Sequence, residues 1–254
     1  MKPHRHSVFL TLGAIAGLAL LATSGCAVWR IKQAGELARL SEPFEVLPQQ
    51  SVATLLVLGD STAVGTGASS PTQSVAGLIA KDHPQLQIVN RAQDGAKFAD
   101  IVQQLEALGE QRFDAILVLG GGNNVIRLTR QKPLAQAILQ TAKLARTHSD
   151  FVILMPSGNV GNAPFFFAPV SWLMSQRSRA LHQLVRQVAA DEGAVYVNLY
   201  KEKAQDPFVQ RAAELHAKDG LHPSDAGYRI WYAELMAQSN FSNQLAARQK
   251  QTRR

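Results

Sequence analysis

Short apolar runs alternate with amphipathic segments along most of this 254-residue chain, and this alternation constrains its fold more than any other feature. The apolar runs predict five strands, at residues 53–59, 86–90, 113–121, 151–156 and 194–200. The segments between and after them predict helices, at residues 70–81, 98–108, 134–147, 172–192 and 223–238. Near-continuous apolar strands that alternate with helices indicate an α/β fold with a five-stranded, mainly parallel sheet covered on both faces.

The formal net charge of +7 belongs to the two ends of the chain. Residues 41–240 carry 17 Lys and Arg against 18 Asp and Glu, so the body is nearly neutral. The sequence has no basic stripe interleaved with aromatic residues, and we expect no nucleic-acid partner. The single cysteine excludes an internal disulfide and a cysteine-based zinc site.

The N-terminal segment is typical of an export signal or a membrane anchor. Residues 7–29 carry no charge, Lys2 and Arg5 precede them, and Arg30 and Lys32 follow. As a helix this run would reach ~34 Å at ~1.5 Å per residue, which is enough to cross a bilayer. Both interpretations place the body of the protein outside the cytoplasm, on the periplasmic side of a bacterial cell envelope.

Two forms of attachment remain open. Residues 23–25, Thr-Ser-Gly, precede Cys26 and resemble a bacterial lipobox, in which Cys26 would be lipidated. Thr23 stands where such a motif usually has Leu. The alternative is an uncleaved helical anchor that ends at Trp29.

The composition divides the chain into four parts. We assign residues 1–32 to the signal or anchor and residues 33–52 to a connector. Residues 53–240 form the predicted globular domain. Residues 241–254 are expected to be a basic, disordered tail.

Polar and glycine-rich motifs follow the predicted strands. Their sequences are GDSTA at 59–63, NRAQDG at 90–95, GGGNN at 120–124 and DGLHP at 219–223. Because the carboxyl ends of parallel strands meet at one edge of a sheet, we expect these motifs to lie together. They would supply a hydroxyl nucleophile, an acid–imidazole pair and oxyanion donors, the groups needed for acyl transfer. Each motif alone is more typical of a turn or a helix cap than of a catalytic site.

Together, in this order, the four motifs resemble those of the SGNH/GDSL hydrolases, over residues 53–238. The resemblance implies a flavodoxin-like, three-layer α/β/α sandwich and the chemistry of a serine esterase or lipase. It implies Ser61 as the nucleophile, with Asp219 and His222 completing a triad. It implies no metal and no cofactor.

The same resemblance implies an oxyanion hole. Its donors would be the backbone N–H groups of Ser61 and Gly95 and the side-chain amide of Asn123. The chain departs from the family pattern at two positions. Asn124 stands where the family usually has Asp, and Ala92 stands where Gly is common.

Clues to the substrate come from residues 158–172, a loop rich in Gly, Pro and Phe. Phe165, Phe166 and Phe167 are candidates for an acyl pocket. A hydrophobic cluster beneath a long loop is an equally good interpretation. His216, three residues before Asp219, is a further candidate for the cleft lining.

Three functions are compatible with these features. The first is a membrane-tethered, extracytoplasmic serine hydrolase that cleaves lipid, acyl or acetyl esters through an acyl-enzyme. The second is an O-acetyl-carbohydrate esterase or an acyltransferase of the cell envelope. The third is a catalytically inactive lipoprotein that binds an ester in the same cleft. The expected partners are a small-molecule or lipid ester and, through the N-terminus, a membrane.

Overall fold

The computed structural model of the protein describes residues 29–252, with side chains up to residue 246. Cys26 and nearly all of the segment interpreted as a signal or anchor lie outside these residues. Within residues 29–252, no helix is both long enough and apolar enough to cross a membrane.

A five-stranded sheet forms the centre of the molecule. Its strands are β1 (Ala53–Gly59), β2 (Leu86–Asn90), β3 (Ala115–Gly120), β4 (Val152–Pro156) and β5 (Val195–Tyr196). The strand order is β2-β1-β3-β4-β5, and every neighbouring pair is parallel. The predicted α/β class and the parallel sheet are confirmed.

β5 is shorter than the sequence predicts. Only Val195 and Tyr196 pair with β4, although Val197 still donates its N–H to Leu154 O at 3.0 Å. The next amide, of Asn198, donates instead to the side chain of Gln238 at 2.8 Å. The edge strand therefore ends because a helical side chain takes over its hydrogen bonding.

The helices alternate with the strands along the chain. Residues 29–40 form α1, and the others are α2 (Ser61–Val64), α3 (Val75–Asp82), α4 (Phe98–Glu106), α5 (Gly122–Ile126), α6 (Gln131–His148), α7 (Val170–Asp191), α8 (Pro207–Gln210), α9 (Ala212–Leu215), α10 (Asp225–Ser239) and α11 (Phe241–Thr252).

The helices cover both faces of the sheet, which completes three layers. Alternate residues of β1 point to opposite faces, as strand geometry requires. Leu55 and Val57 join a core built with α3, α10 and α11. Leu56 and Leu58 join a second core built with α4, α6 and α7. The two cores hold the sheet rigidly and leave its carboxyl edge for the polar loops.

The C-terminal segment corrects one expectation. Residues 241–252 form helix α11 and not a disordered tail. Phe241 and Leu245, one helical turn apart, are each only 1% exposed and pack into the first core. These two residues form the buried side of an otherwise polar helix. The mainly polar and basic composition of residues 241–254 did not indicate this helix.

Helix α1 extends across the boundary that we placed between residues 32 and 33. After α1 the chain runs to the sheet, where Val46 and Ile88 form an antiparallel bridge. Glu45 accepts a hydrogen bond from the N–H of Asn90 at 3.0 Å. The segment before β1 is therefore attached to the edge of the sheet and helps to place α1.

Candidate active site

Ser61 is held in a sharp turn between β1 and α2. Gly59 has φ +145°, and a Cβ at this position would lie 1.8 Å from the carbonyl oxygen of Leu119. Asp60 caps α2 by accepting the N–H of Thr62 at 2.9 Å. The glycine lets two strands approach closely, and the cap fixes Ser61 as the first residue of the helix.

Asp60 also connects two of the polar loops. Its second carboxylate oxygen accepts the N–H of Gly121 at 3.0 Å, at the end of β3. Burial raises the pKa of Asp60, although its hydrogen bonds from Thr62 and Gly121 act in the opposite direction. No role was predicted for Asp60, although its position next to Ser61 in the GDSTA motif could have indicated one.

Ser61, His222 and Asp219 form a continuous hydrogen-bonded relay. His222 Nε2 lies 2.9 Å from Ser61 Oγ, and His222 Nδ1 lies 2.6 Å from Asp219 Oδ2. All three residues are buried. In this arrangement Nδ1 donates its proton to Asp219, which leaves Nε2 free to accept the serine proton.

The turn at residues 219–222 orients Asp219. Its Oδ1 accepts the N–H groups of Leu221 at 2.9 Å and of His222 at 3.1 Å. Burial acts to raise the pKa of Asp219, but the hydrogen bond and charge of His222, together with these two N–H groups, lower it overall. Asp219 is therefore ionised at neutral pH and can stabilise a protonated imidazole.

The two other predicted oxyanion donors lie beside the relay. Gly95 and Asn123 line the same cavity as Ser61 and His222. Gly95 has φ +77°, a left-handed backbone conformation that favours glycine. Asn123 lies on the short helix α5, whose preceding loop is held by Asp60.

Asn124 fastens the loop that carries Asn123. Its side-chain oxygen accepts the N–H of Phe98, the first residue of α4, at 3.0 Å. Its side-chain nitrogen donates to the hydroxyl of Thr129 at 3.2 Å. An amide supplies both the donor and the acceptor here, so the departure from the usual Asp leaves the loop anchored.

The cavity above the relay has a volume of about 360 Å³. Apolar side chains form much of its wall, among them Phe165, Leu199, Phe208 and Trp231. Pockets of this size and lining bind small organic ligands. His216 also lines the cavity, with its ring against Phe208 at a centroid distance of 5.2 Å.

The three consecutive phenylalanines have three different environments. Phe165 lines the cavity, Phe166 packs against the second core, and Phe167 is about half exposed. Of these three candidates for an acyl pocket, Phe165 lines the cavity, and Phe166 and Phe167 do not. Neighbouring side chains in an irregular loop point in different directions, so a run of three cannot share one pocket.

Three residues of α1, Ile31, Ala34 and Ala38, also line the cavity. None of the three was predicted to line the site, because residues 1–32 were assigned to the anchor and residues 33–52 to the connector. The signal that could have found them is their spacing, since residues 31, 34 and 38 lie on one helical face.

His182, on helix α7, lies behind the site and is buried. Its Nε2 lies 2.8 Å from the carbonyl oxygen of Ser157, and its Nδ1 lies 2.7 Å from the hydroxyl of Tyr196. Burial lowers the pKa of His182 to about 4, although the contact with Ser157 raises it in part. His182 is therefore neutral at pH 7 and has a packing role.

In the described part of the chain, no group of three or more His, Cys, Asp and Glu side chains is arranged to hold a metal ion.

The parallel three-layer fold and the Ser-His-Asp arrangement define the class of protein as a serine hydrolase of the SGNH type. Residues 57–230 match the family described as GDSL-like Lipase/Acylhydrolase, and the chain belongs to this family. The protein is accordingly an ester-bond hydrolase, as the motifs predicted. No curated protein sequence gives a significant match.

Solved structures share the fold. TesA is 23% identical, with a TM-score of 0.59, and the match covers 73% of this chain and 97% of that chain. Axe2, an acetylxylan esterase from Geobacillus stearothermophilus, is 21% identical, with a TM-score of 0.55 and coverage of 76% and 96%. The psychrotrophic esterase EstA from Pseudoalteromonas sp. is 18% identical, with a TM-score of 0.55 and coverage of 73% and 96%.

Proposed function

We propose that this protein is a membrane-tethered, extracytoplasmic serine hydrolase that cleaves carboxylic esters through an acyl-enzyme. The observation that carries the proposal is the unbroken relay from Ser61 Oγ through His222 to Asp219 at the floor of an apolar cavity. A site that only bound an ester would not need a base within 2.9 Å of a buried hydroxyl.

The reaction starts at Ser61. Its Oγ attacks the ester carbonyl while His222 Nε2 takes the hydroxyl proton. The carbon–oxygen bond to the alcohol then breaks, and His222 returns the proton to the leaving alcohol. Water, activated by His222, next attacks the acyl-enzyme, releases the acid and restores Ser61.

Asp219 and the oxyanion donors lower the barrier to both steps. Asp219 keeps the imidazole in the tautomer that accepts at Nε2 and stabilises its charged form. The N–H groups of Ser61 and Gly95 and the amide of Asn123 would bind the developing oxyanion. In hydrolases of this kind, one such donor contributes roughly 3–4 kcal/mol.

The tether is proposed from the sequence that precedes the described residues. Residues 7–29 carry no charge and are flanked by basic residues on both sides. Insertion of this run, or lipidation at Cys26, would hold the hydrolase domain at the membrane on the periplasmic side.

The test uses the full chain purified in detergent, because α1 contributes to the cavity wall. p-Nitrophenyl esters from acetate to long acyl chains are assayed with wild type, Ser61→Ala and the exposed control Ser51→Ala. We expect wild type and the control to be active, and Ser61→Ala to lose activity roughly 10⁶-fold. A fluorophosphonate probe should label wild type and the control only.

A Ser61→Ala protein with wild-type turnover would overturn the proposal. A folded wild type with neither turnover nor labelling would overturn it in favour of a binding protein. For the tether, the full chain should pellet with membranes after washing at high salt, and its release by that wash would contradict this part.

A further inference from the structure

Helix α1 lies across the catalytic cleft. Ile31, Ala34 and Ala38 line the same cavity as Ser61 and His222. The chain then leaves α1 and reaches the edge of the sheet, where Val46 bridges to Ile88 of β2. A ligand above the relay is therefore in reach of a helix that precedes the hydrolase domain in the sequence.

The start of α1 is fixed to the loop that contains Phe165. The guanidinium of Arg30 stacks over the ring of Phe167 at 4.8 Å and donates a hydrogen bond to the carbonyl oxygen of Pro164. Residues 29–40 and residues 164–173 thus meet beside the cavity. We call these two segments the entrance rim.

The entrance rim concentrates the exposed apolar side chains of the molecule. Nine large hydrophobic residues are exposed in the described part of the chain, and seven of them belong to the rim. These seven are Trp29, Ile31, Leu40, Phe167, Val170, Trp172 and Leu173. The rim is only about a tenth of the described chain, so this clustering marks a surface for an apolar partner.

The sequence before the rim points to a bilayer as that partner. Trp29 is both the last residue of the uncharged run at 7–29 and the first described residue of α1. A membrane-inserted segment would therefore end at the rim with no intervening linker. The rim also carries the cations Arg30, Lys32 and Arg39, which suit anionic headgroups, and Trp is favoured at the membrane interface.

We propose that the entrance rim rests on the lipid bilayer and that the site takes its substrate, an acyl ester of a membrane lipid, directly from that bilayer. This inference rests on the proposed hydrolase function and names the substrate class of the same site. The acyl chain would pass beside α1 into the cavity walled by Phe165 and Trp231. Ser61 takes the acyl group, the lipid alcohol leaves with the proton from His222, and water releases the fatty acid.

The experiment compares two substrates in one preparation. The full chain is reconstituted into phosphatidylglycerol vesicles that contain a fluorogenic acyl lipid ester, and p-nitrophenyl acetate is supplied in the water. Trp172→Asp and Val170→Asp change exposed rim residues outside the cavity wall. Leu47→Asp is the matched control, because Leu47 is 75% exposed and lies outside the rim.

We expect each rim variant to hydrolyse the vesicle ester at least about tenfold more slowly, a change of about 1.4 kcal/mol in the barrier. Hydrolysis of p-nitrophenyl acetate should stay at the wild-type rate, which also shows that the variants are folded. Leu47→Asp should change neither rate. Equal vesicle rates for wild type and both rim variants would overturn the proposal, as would a parallel loss on both substrates.

A second measurement does not depend on catalysis. Brominated phosphatidylglycerol should quench the tryptophan fluorescence of wild type, and Trp172→Phe should remove a large part of that quenching. Trp29 and Trp231 are present in both proteins, so the difference in quenching between them isolates Trp172. Equal quenching of wild type and Trp172→Phe, or self-association that buries Trp172 in place of lipid, would overturn the docking of the rim. Quenching without any ester turnover would instead defeat the proposed function.

Discussion

The two sides of the cavity are built on opposite principles. On the relay side, the polar groups are buried and hydrogen-bonded, and Asp60 and Asp219 are each only 1% exposed. On the rim side, apolar groups are exposed, and Trp172 is 65% exposed. Stabilisation of a transition state requires fixed dipoles in a region of low dielectric constant. An entrance for an apolar ligand requires exposed apolar surface.

In one cavity, the residues that perform the chemical step are thus separate from the residues at the entrance for the substrate. The relay is anchored to the sheet through Gly59, Asp60 and Gly121, so its geometry does not depend on what covers the rim. The rim is attached by the contacts of Arg30 and by the chain leading to β2. Substitutions on the two sides should therefore change different kinetic quantities.

The largest effect that tests this separation is expected for Asp219→Asn. An amide cannot hold the imidazole in the tautomer that accepts from Ser61, and we expect kcat to fall roughly 10⁴-fold. The p-nitrophenyl ester assay and a thermal melt measure this, with the exposed Asp150→Asn as control. A kcat within tenfold of wild type would show that Asp219 does not orient His222.

The next effect is expected for Asn123→Ala on the relay side. Loss of one oxyanion donor should lower kcat roughly 10²–10³-fold with little change in KM, because the amide acts mainly on the transition state. Steady-state kinetics beside Asn243→Ala, an exposed residue of α11, provides the comparison. An increase in KM at constant kcat would assign Asn123 to ground-state binding instead.

A smaller effect is expected where the two sides meet. Phe165→Ala removes a ring from the cavity wall and enlarges the cavity. It should change the ratio of kcat/KM for long and short esters by roughly tenfold. Phe166→Ala is the matched control, since its ring packs against the core. Phe166→Ala should lower the melting temperature and leave the ratio of kcat/KM unchanged. A changed ratio in Phe166→Ala and an unchanged ratio in Phe165→Ala would assign the pocket to Phe166 instead.

The smallest effect at neutral pH is expected at His182, on the helix whose first turn carries part of the rim. Its pKa is lowered from 6.5 to about 4, so the folded state favours the neutral ring. The neutral ring of His182 therefore contributes to the free energy of unfolding above pH 6.5, and this contribution is lost as the pH falls from 6.5 towards 4. Between pH 8 and pH 4, wild type should lose roughly 3 kcal/mol more stability than His182→Gln.

Urea unfolding of both proteins at pH 8 and pH 4 measures this difference directly. Turnover at pH 8 should be similar in the two proteins, because His182 does not line the cavity. Identical pH dependence of unfolding would show that burial of His182 does not determine its protonation.

The strands and the relay residues were predictable because each has a local signature. A strand of a parallel sheet is apolar on both faces, so β1 and β2 were found with the bounds that the structure has. Ser61, Asp219 and His222 lie in short motifs at the ends of strands and before a helix. The topology of a parallel sheet then requires those ends to meet.

Features that depend on contacts between distant segments were missed. The helical packing of Phe241 and Leu245 and the burial of His182 against Ser157 both join segments far apart in the chain. His148, the last residue of α6, is also buried. A helical position alone does not tell which neighbour covers a side chain, so the burial of these two histidines has no local signature.

The order of apolar runs and polar motifs in the chain was enough to define a parallel α/β hydrolase and the three residues of its relay, because both depend on patterns a few residues long. The wall and mouth of the cavity required the folded structure. Ile31 and Phe165 are 134 residues apart and line one cavity only because α1 folds back across the cleft. Such a contact depends on how whole elements pack, and no local pattern encodes it.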